Sequence, residues 1–360
     1  MGISVRPLVE SAIRAGFDVR ALDFFGDLDT KAACPGISLS ERGVPFSPRP
    51  SDYWKAAHDI LKDAIVYTAP LENHPSLIER FSEKMRLWGN GPSVLKNVRN
   101  PRILQDFCAK EGMAFPKTYF GRPATAPQRG LLLKPKKSGG GKDILPYNGI
   151  LPPGYYLQEH VSGIPCSVTF IADGLEANVI AVTRQYIGEK WLGASGFSWC
   201  GNMVPNDLSE WQNGRLSRIV QKFTERFRLV GCVGMDFILA DDIYVLEINP
   251  RLCGSMDAVE KAFDINLFDL HMRACEGDMR EDFSQKKYCA KAIIYAEKSL
   301  VARNTEALLG TAVRDIPRPN LRIGEGEPLC SVVVEGSTEE GCTRNLREEV
   351  EKAKGFFYGT

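Results

Sequence analysis

Three oxygen-bearing side chains, Asp236, Glu247 and Asn249, are spaced so that they can meet on one face of a hairpin. They lie in the run 230–251, VGCVGMDFILADDIYVLEINPR, where two apolar stretches flank Asp241-Asp242. Read as a two-residue turn, that pair sets Asp236 across from Glu247 and Gly234 across from Asn249. Alternation with period two then puts Asp236, Glu247 and Asn249 on one face. Phe237, Leu239, Leu246 and Ile248 fall on the other, which would be core. Like charges directly opposite, about 5 Å apart, destabilise a sheet, and a hard divalent cation removes that penalty. Asp, Glu and Asn all offer oxygen, as Mg²⁺ prefers, and Mg²⁺ held by few carboxylates normally also takes substrate phosphates. Gly234 opposite Asn249 leaves room for such a ligand. The competing reading is a solvated hairpin with ordinary surface acids; the very apolar strands and the Asn-Pro-Arg ending speak against it.

A second constellation runs Leu131-Leu132-Leu133-Lys134-Pro135-Lys136-Lys137-Ser138-Gly139-Gly140-Gly141-Lys142. An apolar strand ends in a lysine, and the Ser-Gly-Gly-Gly turn offers backbone N–H groups that can approach phosphate with no Cβ in the way. It is neither a Walker loop nor a dinucleotide fingerprint, and alone it also fits a basic surface loop. Farther on, Tyr155-Tyr156-Leu157-Gln158-Glu159-His160-Val161-Ser162-Gly163 reads as a strand leaving into a turn.

The elements that must position these residues alternate in type. A glycine loop at 2–6 leads into a helix over 7–15 and a strand over 19–23. Nothing precedes that loop, where a doubly wound fold has a buried first strand. The start codon is therefore read as misassigned, in preference to a sheet lacking that strand. Helices over 53–63 and 75–84 flank a strand over 64–67, and a further helix spans 101–111. Strands follow over 130–134, 155–159, 167–172 and 177–184, then a helix over 208–227, the hairpin, and a helix over 268–275. The remainder carries strands over 289–295 and 329–334 and a closing helix near 344–353. The division expected is 1–90 Rossmann-like, 91–162 a small lobe, 163–279 a large lobe with the metal site, and 280–360 a small β-rich α+β segment.

The bulk numbers suit this. A chain of 360 residues exceeds one ordinary compact core, and 44% hydrophobic with 25% charged residues is a globular composition. Lys+Arg and Asp+Glu both number 45, so no basic excess favours nucleic acid or an anionic membrane; small-molecule partners are expected. The ten cysteines are scattered without Cys-x-x-Cys pairs and the four histidines are dispersed, which excludes zinc-ligand spacing and reads as reduced thiols in a cytoplasmic protein. No apolar run reaches membrane-spanning length.

Taken together, the lysine strand with its glycine-rich loop, the hydrophobic-Gln-Glu-x-Val-x-Gly hinge and the Asp…Glu-x-Asn-Pro-Arg ending resemble the ATP-grasp superfamily over about residues 90–275. Glu247-Ile248-Asn249-Pro250-Arg251 is the most specific element. Within the superfamily the chain resembles the archaeal and methylotroph group of predicted ATP-dependent carboligases, and its tail, Ile323 to Val332, is similar to a biotin-carboxylase-type C-terminal region. The resemblance implies an ATP-grasp fold with a Rossmann-like preceding domain and ATP lying between two α+β lobes. Arg99 would be the first basic residue, with Lys96 a second candidate, and Lys134 would contact the phosphates. Ser138, Gly139, Gly140 and Gly141 would fold over them, while Gln158, Glu159 and Val161 would meet the adenine. Asp236, Glu247 and Asn249 would hold one or two Mg²⁺, for which Mn²⁺ can substitute, and Arg251 would stabilise charge on the transferred group. Dimers are usual in neighbouring families, so a homodimer is the expectation by analogy. One departure stands out: the stretch 163–167 lacks the ribose-binding glutamate that many members place there.

The activity this implies is ligation, with Lys134 and Arg251 catalytic. A substrate carboxylate attacks the γ-phosphate to form an acyl phosphate, which an amine opens. Positioning and charge neutralisation carry most of such a reaction. Arg184-Gln185 and 191–202 are candidates for the acceptor pocket. The alternatives are a carboxylase using bicarbonate and a nucleotide-binding protein without catalysis; a dehydrogenase on residues 1–90 lacks its fingerprint.

Overall fold

The computed structural model describes residues 1–60, 63–123, 130–279 and 282–359. Its backbone is organised by one eight-stranded antiparallel sheet. The strand order is Ile243–Asn249, Val230–Leu239, Ile164–Asp173, Ala177–Ile187, Trp199–Val204, Tyr288–Tyr295, Pro328–Gly336 and Val313–Arg314. Strands from the C-terminal segment thus extend the same sheet that carries the carboxylate hairpin.

Alternation decides what each face of this sheet meets. Val168, Phe170, Met235 and Phe237 turn to one face and pack on helix Glu210–Phe227, whose Leu216, Ile219, Val220 and Phe223 recur at helical spacing. That helix starts cleanly because Ser209 and Gln212 bond reciprocally across its first turn. Helix Glu339–Tyr358 covers the same face farther along through Cys342, Leu346 and Val350. On the opposite face Ile171, Ala181, Cys232 and Val204 pack on helices Met256–Phe263 and Leu267–Cys275. All ten cysteines are unbonded and eight of them are buried, so they act as small hydrophobes.

A separate four-stranded sheet, ordered Thr118–Tyr119, Tyr155–Glu159, Leu131–Pro135, Leu145–Pro146, carries the lysine strand beside the Gln158 strand. In its register Leu132 faces Gln158 and Lys134 faces Tyr156.

The first ninety residues hold short parallel pairs, Ala21–Asp23 with Gly36–Ser38 and Ala64–Ile65 with Arg86–Leu87. Residues 1–3 run beside the strand Ala21–Asp23 and the 68–70 segment. Gly2 N donates to the Leu22 carbonyl at 3.0 Å, and Ile3 N to the Ala69 carbonyl at 2.8 Å. Too short to form a regular strand, the segment still satisfies its backbone on both sides. The helix expected over 53–63 runs Pro50–Ala57, opened by Pro50; residues 61–62 of that expectation lie outside the described residues. Of the 191–202 stretch, residues from Trp199 on belong to Trp199–Val204, a central strand of the large sheet. Among the described residues, no helix is long and apolar enough to cross a membrane.

Candidate functional site

Asp236 pairs with Glu247 and Gly234 with Asn249, the register read from the sequence. The turn differs. Leu239 pairs with Ile243, and Ala240 N donates to the Asp242 carbonyl at 3.0 Å, so three residues make the reversal. The register then shifts between Asp236 and Phe237, which pairs with Val245. Leu246 is the extra residue, and a bulge of this kind re-aims a side chain. Expected in the core, Leu246 instead lines the cavity beside Glu247, while Phe237 and Ile248 are core as expected.

That cavity measures about 1560 Å³ and takes residues from every part of the chain. Pockets for one small ligand are of order 300–1,000 Å³, so this one has room for a nucleotide and further substrates together. Asp236, Glu247, Asn249, Arg251, Lys134, Arg99, Gln158, Glu159, Val161 and the 138–141 turn all line it. Lys96 is exposed and lies outside it.

Arg99 joins three elements. Its Nη1 donates to Glu247 Oε2 at 3.2 Å and to the Ile248 carbonyl at 3.1 Å, and its Nη2 to the Ser138 carbonyl at 3.0 Å. Its Nε donates to Asn73 Oδ1 at 3.3 Å, and Asn73 Nδ2 reaches the same Ser138 carbonyl at 3.3 Å. The glycine-rich turn is thereby tied to the carboxylate hairpin. On its other side Trp199 N donates to the Gly140 carbonyl at 2.9 Å. Gly141 (φ +73°) passes so close to the large sheet that a Cβ there would stand 1.7 Å from the Phe197 carbonyl oxygen. Gly141→Ala is therefore expected to weaken ATP binding at least tenfold, because both the left-handed backbone and the contact are lost to an L side chain. Cooperative unfolding should stay unchanged, the turn being outside the core; calorimetric ATP titration beside a melting curve checks both.

Lys134 Nζ donates to Gln158 Oε1 at 2.9 Å, and Gln158 Nε2 donates to Thr118 Oγ1 at 3.1 Å. The Gln158 side chain thus orients the lysine on the four-stranded sheet. Glu159 Oε1 accepts from the Tyr119 hydroxyl at 3.0 Å. His160 lies edge-on to Phe197 on the cavity wall.

Asp236 accepts from Asn249 Nδ2 and from Gln185 Nε2, both at 2.9 Å. Burial first, and then repulsion from Glu247, push its carboxyl above the ordinary carboxylate range. Burial works the same way on Glu247, but Arg99 and then Lys134 outweigh it and hold that carboxyl low. Two facing carboxylates with an amide beside them form an oxygen donor set that fits Mg²⁺. Asn249 Oδ1 is turned toward Arg99 Nη1 at 3.4 Å and Arg251 Nη2 at 3.3 Å; the amide turned over would present its oxygen on the Asp236 side.

The linkage has a definite sign. The folded chain keeps the Asp236 proton at pH values where the unfolded chain has lost it, so stability falls as pH rises from the carboxylate range toward neutrality. Without divalent cations, the Asp236 share of the stability is expected to fall between about pH 4.5 and about pH 7, against His271 and the Met1 amino group, which burial holds low and which act in the opposite direction. Burial of Asp23 and Asp29 acts in the same direction as that of Asp236. Mg²⁺ should restore only the Asp236 share, and Asp236→Asn should remove that Mg²⁺ response; melting curves across pH, with and without the cation, measure it.

Arg251 is buried, and its partner carries no signal in the sequence. Its Nε donates to Glu72 Oε1 at 3.1 Å, and Nη2 lies 3.0 Å from the same oxygen. Glu72 is fully buried. Of the acceptor candidates, Gln185 meets Asp236 while Arg184 turns away to pair with Glu339 outside the cavity. Adjacent residues of a strand point to opposite faces, so the two could not both line the site.

Residues 101–255 match the family model of the ATP-grasp domain. Over 92% of its length the chain is 24% identical to an uncharacterized protein of Methanocaldococcus jannaschii, covering 86% of that relative. Among solved structures, a biotin carboxylase from Campylobacter jejuni superposes with a TM-score of 0.73 at 14% identity, covering 95% of this chain and 86% of the other. An L-amino acid ligase from Bacillus licheniformis gives 0.71 at 14% identity, covering 98% and 96%. At such identities the likeness is one of fold, and that fold is ATP-grasp.

Proposed function

We propose that the chain, an ATP-grasp protein by its domain match and its fold, is a ligase that activates a carboxylate with ATP as an acyl phosphate and joins it to an amine. The observation that carries this reading is the convergence of Lys134, the 138–141 turn, Asp236, Glu247 and Arg251 on one cavity large enough for nucleotide and acceptor. Asp236 and Glu247, with Asn249 turned over, would hold Mg²⁺, which supplies neutralisation of phosphate charge when bound. The open N–H groups of the glycine turn cradle phosphate oxygens. Lys134, oriented by Gln158, screens the phosphates from the opposite lobe. Arg251, its direction set by Glu72, faces the charge that develops on the transferred group. The tyrosine-held Glu159 and the Val161 backbone form the adenine end.

The test is ADP release from ATP·Mg²⁺ with pooled carboxylic acids and amines. Release that needs an acid and an amine together supports the ligase. A second reading, carboxylation, draws on the fold likeness to biotin carboxylase; release that needs bicarbonate instead would select it. Tight ATP binding without turnover from any pool would select a non-catalytic binding protein.

A further inference from the structure

The cavity is also walled by the N-terminal part of the chain, and there its chemistry changes. Asp27 and Asp315 line this part together with Phe24, Phe25 and Phe46. The segments carrying the two aspartates are clamped together: Leu28 N donates to the Ile316 carbonyl at 2.9 Å, and Asp29 accepts from the backbone N–H groups of Asp315 at 2.8 Å and Ile316 at 3.2 Å.

The fixed charges around this part do not balance. Asp27, Asp29, Asp257 and Asp315 are gathered around two buried cations, Arg6 and Lys291, while Asp23 close by has the Met1 amino group and Lys31 as its own positive neighbours. Arg6 takes Asp315 at 2.9 Å and Asp257 at 2.6 Å, and Lys291 takes Asp257 at 3.1 Å. Asp315 also accepts from the Ser331 hydroxyl. Each of Asp29, Asp257 and Asp315 is thus met by a donor on the protein. Asp27 is the exception on the cavity wall. It is 5% exposed, and its buried Oδ2 has no hydrogen-bond partner among the described residues.

Its position makes this unusual. Asp27 directly precedes helix Leu28–Ala33, where an aspartate ordinarily accepts from the first-turn N–H groups, yet it makes no such bond. A buried carboxylate without a donor costs several kcal/mol or takes up a proton. Burial first, then Asp315 and Asp23, push this carboxyl well above its ordinary range. Beside it the three phenylalanines form a cluster, with ring centroids 5.1 Å apart for Phe24 and Phe25 and 5.3 Å for Phe24 and Phe46. Lys142 already sets its ammonium 4.9 Å from the Phe46 ring, so this cluster presents aromatic faces that attract cations.

We propose that this part of the cavity recognises a primary amine with an apolar body, its ammonium donating to Asp27 and its body resting on Phe24, Phe25 and Phe46. The proposal is one of recognition. It rests on the ligase reading above in that this amine is the class from which the acceptor comes. It disfavours bicarbonate, since an anion would enter an excess of carboxylates.

Calorimetric titration of the full chain, with and without the non-hydrolysable ATP analogue AMP-PNP and Mg²⁺, tests it with four probes: 2-phenylethylamine, n-butylamine, 2-phenylethanol and phenylacetate. Phenylethylamine is expected to bind at least tenfold more tightly than the isosteric alcohol, butylamine in between, and phenylacetate not at all. Asp27→Asn should lose at least tenfold in amine affinity and raise the Tm of the ligand-free protein, because it removes a buried unmet carboxylate. Asp27→Ser provides the same readout should the amide fold poorly. Failure of the amines to bind, equal binding of the alcohol, or unchanged amine binding in both variants would overturn the proposal. AMP-PNP binding is read in the same titrations. Its absence would count against the ligase reading, whereas intact nucleotide binding without amine selectivity sinks this inference alone.

Discussion

Glu247→Gln is expected to reduce acid-dependent ADP release by about a hundredfold or more while leaving the fold intact. Glu247 faces Asp236 across the hairpin and lies at the centre of the cavity wall. Replacing residues that only support a metal ligand already costs roughly 10–100-fold, and on the proposed reading of Glu247 as a Mg²⁺ ligand the ligating charge itself would go. The amide keeps the size of the side chain and can still accept from Arg99, which reaches Glu247 at 3.2 Å. It also removes a carboxylate that Arg99 and Lys134 hold ionised, so in the absence of divalent cations the Tm at neutral pH should fall modestly. A coupled ADP assay and melting curves on the same preparation separate the two effects. Turnover that survived the substitution would remove Glu247 from the metal site.

Glu72→Gln is expected to show the larger loss of stability. Glu72 is fully buried and meets Arg251, itself buried, through a single oxygen, Oε1; Oε2 has no partner among the described residues. Removing one partner of such a pair leaves an uncompensated charge and costs about 3–5 kcal/mol. In a chain of this size the Tm should drop by several degrees. Turnover should fall as well, since Arg251 also reaches Asn249 at 3.3 Å and loses the contact that sets its direction. The double variant Glu72→Gln/Arg251→Met should recover part of the stability and none of the activity. A plain sum of the two single losses would show that the residues are not coupled.

The carboxylate hairpin was legible because its information is local. Asp236, Glu247 and Asn249 lie within 14 residues of one another, and strand alternation carries them to one face whatever the rest of the chain does. The same reasoning failed for Leu246, where a three-residue reversal and a bulge replaced a two-residue turn. Apolar patterning cannot register one extra residue when both neighbours of the bulge tolerate burial. Arg184 and Gln185 show the limit from the other side: either could be assigned to an acceptor pocket by type, and only the sheet decides that Gln185 faces Asp236 and Arg184 faces Glu339.

The amino-acid sequence by itself determined the chemistry on offer: the facing oxygen ligands, the lysine strand, and a glycine turn able to approach phosphate. It also determined the helices whose apolar periodicity is strong, such as Glu210–Phe227. The tertiary structure alone decided which charges meet. Glu72 lies 179 positions from Arg251, Asp315 lies 309 from Arg6, and Arg99 lies 148 from Glu247. Spacing encodes direction only along a single element. Which distant charge compensates a buried one depends on how whole elements pack, and that packing also left Asp27 on the cavity wall with its Oδ2 unmet among the described residues.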